Sequence, residues 1–192
     1  MGAHRPQRRR VAQAVAATGG RDAGAPRPAA ASSRTNRNLH ALAHVCILVI
    51  VPGLLAWLSG RPFIFPSLGP SALALALDGG GNRPRQLIGG HLTGVVSGLL
   101  AYHLLAPGLD LAALAAPLSS AGLRIVASGV LSVALTTWLM LVTRTTHAPA
   151  CATTLIVSLG VLPGFVDGAW IMAAVICMYL VHLSIALTRG AD

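Results

Sequence analysis

Charge is scarce in this chain. Of 192 residues only 10% are charged, neither lysine nor glutamate occurs, and 54% are hydrophobic. Soluble domains carry about 25% charged residues. So few charges exclude a water-facing surface over most of the sequence and argue for a surface that faces lipid. Aromatics are as rare, at 4%, and no basic stripe is interleaved with them. That excludes a nucleic-acid interface despite the formal net charge of +9. The charges instead follow a positive-inside bias. The three cysteines, Cys46, Cys151 and Cys177, stand alone in apolar surroundings, with no CxxC pair. They read as small buried residues, and the lack of any His–carboxylate pairing predicts no metal site and no cofactor.

Carboxylates are missing from the apolar segments too. Asp78, Asp110 and Asp167 all fall between them. Cation transporters and proton pumps usually place an acid inside a span, so an anionic or neutral permeant is favoured. The same gap speaks against catalysis. A dyad of Ser71 with His147 is conceivable, but no carboxylate is at hand to orient it. No GxSxG, HExxH or GxxxxGK[ST] stretch occurs. The chain is expected not to be an enzyme.

What is present is a tail and six apolar segments. Residues 1–38 hold eight of the fourteen arginines with much Ala, Gly, Pro and Ser. They read as a disordered basic tail on the cytoplasmic side, with an organellar targeting segment as the alternative. Residues 39–192 form the membrane domain. Segments 39–58, 86–105, 123–142 and 169–187 are long enough to cross a bilayer, which takes about 20 residues. Segments 62–77 and 147–162 are shorter and carry prolines.

Arginine placement supports six passes with both termini in the cytoplasm of a cell membrane, an organellar inner membrane being the alternative. Arg83, Arg85, Arg144 and Arg189 then lie inside, while the outer stretches around Asp110 and Asp167 are acidic. Arg61 and Arg124 are the exceptions. The long, short-with-proline, long pattern occurs twice, and three passes per unit turn the second unit over. The expected fold is therefore an all-α polytopic bundle of two inverted three-helix repeats. Broken short helices in matching positions are a transporter signature.

Proline suits the first turn of a helix. The second segment is thus expected to begin its helix near Ser71, after Pro70, and the fifth near Pro149. Helix starts leave N–H groups free and carry partial positive charge. Two such starts facing each other inside the bilayer would bind an anion. Ser67, Ser71, Thr145, Thr153 and Thr154 would add hydroxyl donors, and Gly69 would let backbone approach the ligand. Arg85, His91, Arg144 and His147 would give the path a positive potential. His40, His44, His103 and His182 read as interfacial or packed.

Three stretches, in order, resemble the HPP family of integral membrane proteins. They are "PSLGPSALALAL" from Pro66, "RPRQLIGGHLTG" from Arg83, and "TRTTHAPACATTL" from Thr143. The likeness runs over about residues 45–187, leaving the tail out. The name-giving triplet reads His147-Ala148-Pro149 here, so its first proline is absent, and Cys151 stands where a glycine is usual. Some plastid members of the family are implicated in nitrite transport. The resemblance therefore implies a small-anion transporter or channel, with nitrite the leading substrate. Its partners would be the lipid bilayer and the anion, and the chain's small size favours a homo-oligomer. The competing expectation is a membrane subunit for assembly or sensing whose polar residues only lock the helices together.

Overall fold

The computed structural model describes residues 28–77 and 84–189. They form six α-helices and no strand: α1 (Pro28–Ser59), α2 (Ile64–Leu77), α3 (Pro84–Leu105), α4 (Ser120–Thr143), α5 (Ala150–Ser158) and α6 (Phe165–Arg189), with a 3-10 turn at Leu111–Ala115 between α3 and α4. Four stretches are long and apolar enough to cross a membrane: Asn38–Ser59 in α1, Pro84–Leu105, Ser120–Thr143 and Phe165–Thr188. α2 has 14 residues and α5 only 9, or about 21 and 14 Å at 1.5 Å per residue. The long, short, long alternation of the sequence is therefore present in the elements. Ala41–Asp192 form one compact unit, which holds the whole helix bundle beyond the first part of α1.

Two boundaries differ from expectation. α1 starts at Pro28, inside the stretch that reads as disordered tail; residues 1–27 lie outside the described residues. α2 starts at Ile64 and runs straight through Pro70, whereas the proline pattern predicts a start near Ser71. A proline inside a packed membrane helix costs one backbone hydrogen bond without having to end the helix, and α1 likewise runs through Pro52. Pro66 sits in the first turn of α2, where the missing N–H matters little.

The packing is that of a membrane protein. Leu42, Ile50, Trp57, Leu123, Val130, Leu141 and Leu187 are exposed, while Ser67, Ser71, His91, Ser128, Ser132, Thr136, Thr153, Thr154 and Ser158 are fully buried. Apolar side chains turned outward suit lipid. Between helices in lipid, close packing and hydrogen bonds replace the hydrophobic drive. α3 is the central helix and packs on α4, α5 and α6; α2 packs on α5 and α6. Leu48, Ile64, Leu68, Leu75, Leu87, Ile171, Val175 and Met178 fill the apolar core.

Side-chain ties fix the order of the ends. At one end Arg61 Nε donates to Asp167 Oδ1 at 2.6 Å, so one exception to the charge rule meets the acid of the α6 start. At the other end Arg85 Nη2 donates to the Thr143 carbonyl at 2.8 Å. Back at the Arg61 end, Arg124 Nε donates to the Leu105 carbonyl at 2.8 Å. These contacts tie the α1–α2 turn to the α6 start, the α3 start to the α4 end, and the α3 end to the α4 start.

Candidate functional site

α3 carries Gly90, Gly94 and Gly98 at four-residue spacing, so one ridge of the helix is bare backbone. α5 and the extended chain before it press into that ridge. A Cβ added to Gly90 would stand 2.7 Å from His147 Cβ, and one on Gly94 would stand 2.8 Å from Thr154 Oγ1 and 3.1 Å from the Ala150 carbonyl oxygen. On Gly98 it would stand 2.9 Å from the Thr154 carbonyl oxygen. The glycines thus set the depth at which His147, Thr153 and Thr154 enter the bundle.

The chain reaches that ridge by a sharp stop. α4 ends on Arg144, which takes the left-handed conformation (φ 55°, ψ 41°). The Arg144 N–H donates to Leu141 O at 3.4 Å and the Thr145 N–H to Met140 O at 3.0 Å, a cap in which glycine is usual. Extended chain then carries Thr145 and His147 inward. Pro149 caps the start of α5 with φ −57°, where its lack of an N–H costs nothing.

Here four buried polar side chains from four parts of the chain meet. Ser71 Oγ of α2 lies 2.8 Å from His91 Nε2 of α3 and 3.1 Å from His147 Nε2. His91 Nδ1 lies 2.9 Å from Thr153 Oγ1 of α5. The two imidazoles are tilted against each other with centroids 5.4 Å apart. A hydroxyl has one proton, so Ser71 can donate to only one imidazole and must accept from the other. The proton positions of His91, Ser71 and His147 are therefore linked: reversing one bond reverses its neighbour. Thr136 Oγ1 of α4 meets Thr154 Oγ1 at 3.0 Å, next to this cluster on α5.

Ser71, His91, His147 and Thr153 are thus brought together as the sequence suggests, and Thr154 adjoins them. The Ser71–His147 pair forms without any carboxylate. Other expected members lie elsewhere. Ser67 is buried one turn from Ser71 and donates to the Ile64 carbonyl at 2.8 Å. Gly69 faces open space, with nothing within 4 Å of an added Cβ. Thr145 Oγ1 bonds Thr143 Oγ1 at 2.7 Å, at the Arg85 end. Arg85 is tied to α4, and Arg144 is exposed as a helix cap.

The expected pair of facing helix starts is absent. α2 begins at Ile64, at the Arg61 end, and it is the middle of α2 that meets the start of α5. Seven residues of helix, about 10 Å, separate Ile64 from Ser71. The cause is again the uninterrupted helix through Gly69-Pro70. Nor does open space lie between the cluster members: they contact one another directly and are closed off from solvent. Three surface clefts of about 520, 600 and 380 Å³ have other linings, around Pro117, Val130 and Phe165.

Sequence reasoning missed three features. Ser128, Ser132 and Thr136 recur every fourth residue on α4 and are all fully buried; that spacing was the available signal. The glycine ridge was visible as small residues four apart. His44 and His182 stack with centroids 5.1 Å apart and nearly parallel planes, which no local pattern shows because α1 and α6 are far apart in sequence.

The family model for the HPP transmembrane region matches residues 30–190. The chain belongs to the HPP transmembrane family. The match extends ahead of residue 45, where the likeness of the three stretches begins, and it takes in all but the first two residues of the α1 helix. No curated protein and no solved structure matches the chain. As an HPP protein with four apolar helices of spanning length, it is an integral membrane protein. The three stretches that resemble the family hold Ser71, His91, His147 and Thr153.

Proposed function

We propose that this HPP protein is a permease for a small inorganic anion, with nitrite the leading candidate, and that the Ser71–His91–His147–Thr153 cluster is its central binding point. The observation that carries this reading is the cluster itself. Polar and ionisable groups inside a span are costly and usually functional. This one offers hydroxyl and imidazole donors, contains no acid, and lies at the start of a short, broken membrane helix, α5. The arrangement is an occluded one, in which the donors bond each other until an anion takes their place. Arg85 and Arg144 stand at one end of the path and raise the local anion concentration. The same reading has both termini in the cytoplasm of a cell membrane and assigns no enzymatic step.

A second reading has one observation in its favour. The cluster is closed on itself, as a structural lock between helices would be, and an assembly or sensory subunit needs nothing more. Flux separates the two. Purified protein in liposomes is expected to carry nitrite well above protein-free vesicles. Folded protein that moves none of nitrite, nitrate or formate would decide for the lock.

A further inference from the structure

Among the described residues, Ser97 Oγ is the one buried side-chain polar atom without a hydrogen-bond partner, and the residue is 1% exposed. A helical serine always has an acceptor within reach, the carbonyl one turn back. Other hydroxyls in this bundle use it: Thr93 donates to Gly90 O, Ser132 to Gly129 O and Thr143 to Leu139 O, at 2.8, 2.8 and 2.6 Å. Ser97 does not, so its oxygen is directed away from its own helix. Buried polar groups are nearly always satisfied, and one that is not calls for an explanation.

Its surroundings supply one. α3 and α4 run antiparallel, and the Arg85–Thr143 and Arg124–Leu105 ties fix their register. Ser97 is thereby level with the hydroxyl stripe Ser128, Ser132 and Thr136 of α4. Thr154 Oγ1 rests on Gly94, one turn before Ser97 on the same helix. Thr154 donates to the Ala150 carbonyl at 3.2 Å, so Thr136 is the donor in the Thr136–Thr154 contact of 3.0 Å. A ligand beside Ser97 could divert that proton. Ser128 and Ser132 are already tied to the Ser158 and Gly129 carbonyls, each at 2.8 Å, which closes the stripe on the Arg61 side of Thr136.

We infer that Ser97 and Thr136 form a second stop for a dehydrated anion, about two turns from His91 toward the Arg61 end. The inference rests on the permease reading and deepens it. Two stops in line let an ion leave one site for the next rather than for lipid. The second stop also sets the substrate class. It offers neutral hydroxyls only, with no arginine or histidine, so it can replace the weak hydration of a monovalent anion such as nitrite but not the strong hydration of a divalent one such as sulfate.

Ser97→Ala tests this. Removing an unpartnered hydroxyl leaves nothing unsatisfied, so a purely structural role predicts an equal or higher unfolding midpoint and unaltered flux. The second stop predicts the same midpoint with nitrite flux in liposomes lowered at least five-fold, flux regained in Ser97→Thr, and no sulfate flux or competition in the parent protein. Parent-level nitrite flux in Ser97→Ala, or sulfate competing as well as nitrite, overturns the second stop alone. No nitrite flux in the parent protein refutes the permease reading and takes the stop with it.

Discussion

His91→Ala is expected to abolish nitrite flux and to destabilise the bundle by about 2–4 kcal/mol, the range for emptying a large buried site. His91 is fully buried and holds Ser71 and Thr153 at once, through its two ring nitrogens. Without the ring, a cavity opens in the middle of α3. The Thr153 hydroxyl loses its ring partner, and Ser71 keeps only His147. His91→Gln fills most of the volume and presents polar atoms at its end. It should recover about half of the lost stability, yet not the flux, because an amide cannot hold the Ser71 and Thr153 hydroxyls at the two positions that the ring nitrogens fix. Thermal unfolding in detergent and flux in liposomes read the two effects separately. Equal flux in His91→Gln and the parent would show that the imidazole is there for packing.

The second large effect concerns the glycine ridge of α3. Gly94→Ala should cost about 1–3 kcal/mol, the usual range for overpacking, and Gly98→Ala about as much. The reason is the kind of atom that each new Cβ would meet. On Gly94 one neighbour is the Ala150 carbonyl at 3.1 Å, and on Gly98 it is the Thr154 carbonyl at 2.9 Å. Both are α5 backbone, which cannot yield as a side chain can. α5 must then move bodily outward, taking Thr153 away from His91. Gly129→Ala on α4 is the contrasting case. Its new Cβ would meet only the flexible Leu159 and Leu155 side chains, at 3.4 and 3.7 Å. The gain in helix propensity, up to about 1 kcal/mol, should then leave that variant as stable as the parent or more so. Unfolding midpoints of the three variants, compared side by side, check the contrast. Similar losses in all three would mean that the close approach of α5 to α3 is not what holds the bundle.

Much of this architecture is legible in the sequence because membrane chemistry is written locally. A run such as 169–187 with no charge needs no partner to declare itself a span, and a histidine in an apolar run stands out wherever its partner is. His91, His147, Ser71 and Thr153 are therefore found singly. Their joining is not written locally: it comes from the packing of α5 on α2 and α3. Pro70 misleads because proline often marks a helix start, yet a packed membrane helix can run through one, as α1 does through Pro52. The unbroken helix puts the start of α2 at Ile64 and removes the facing helix ends. Ser97 gives no signal of its own. A serine among glycines reads as one more small packing residue, and only the missing partner sets it apart. The His44–His182 stack joins residues 138 apart in the chain, a contact that no sequence periodicity encodes.

The central claim is that the permeant binds between His91 and His147. The most direct measurement is nitrogen NMR of histidine-labelled protein in lipid nanodiscs during a nitrite titration. The ring nitrogens of His91 and His147 should shift together and saturate, while those of His44 and His182, stacked elsewhere in the bundle, stay in place. Unmoved His91 and His147 signals at nitrite concentrations that support flux would contradict the account.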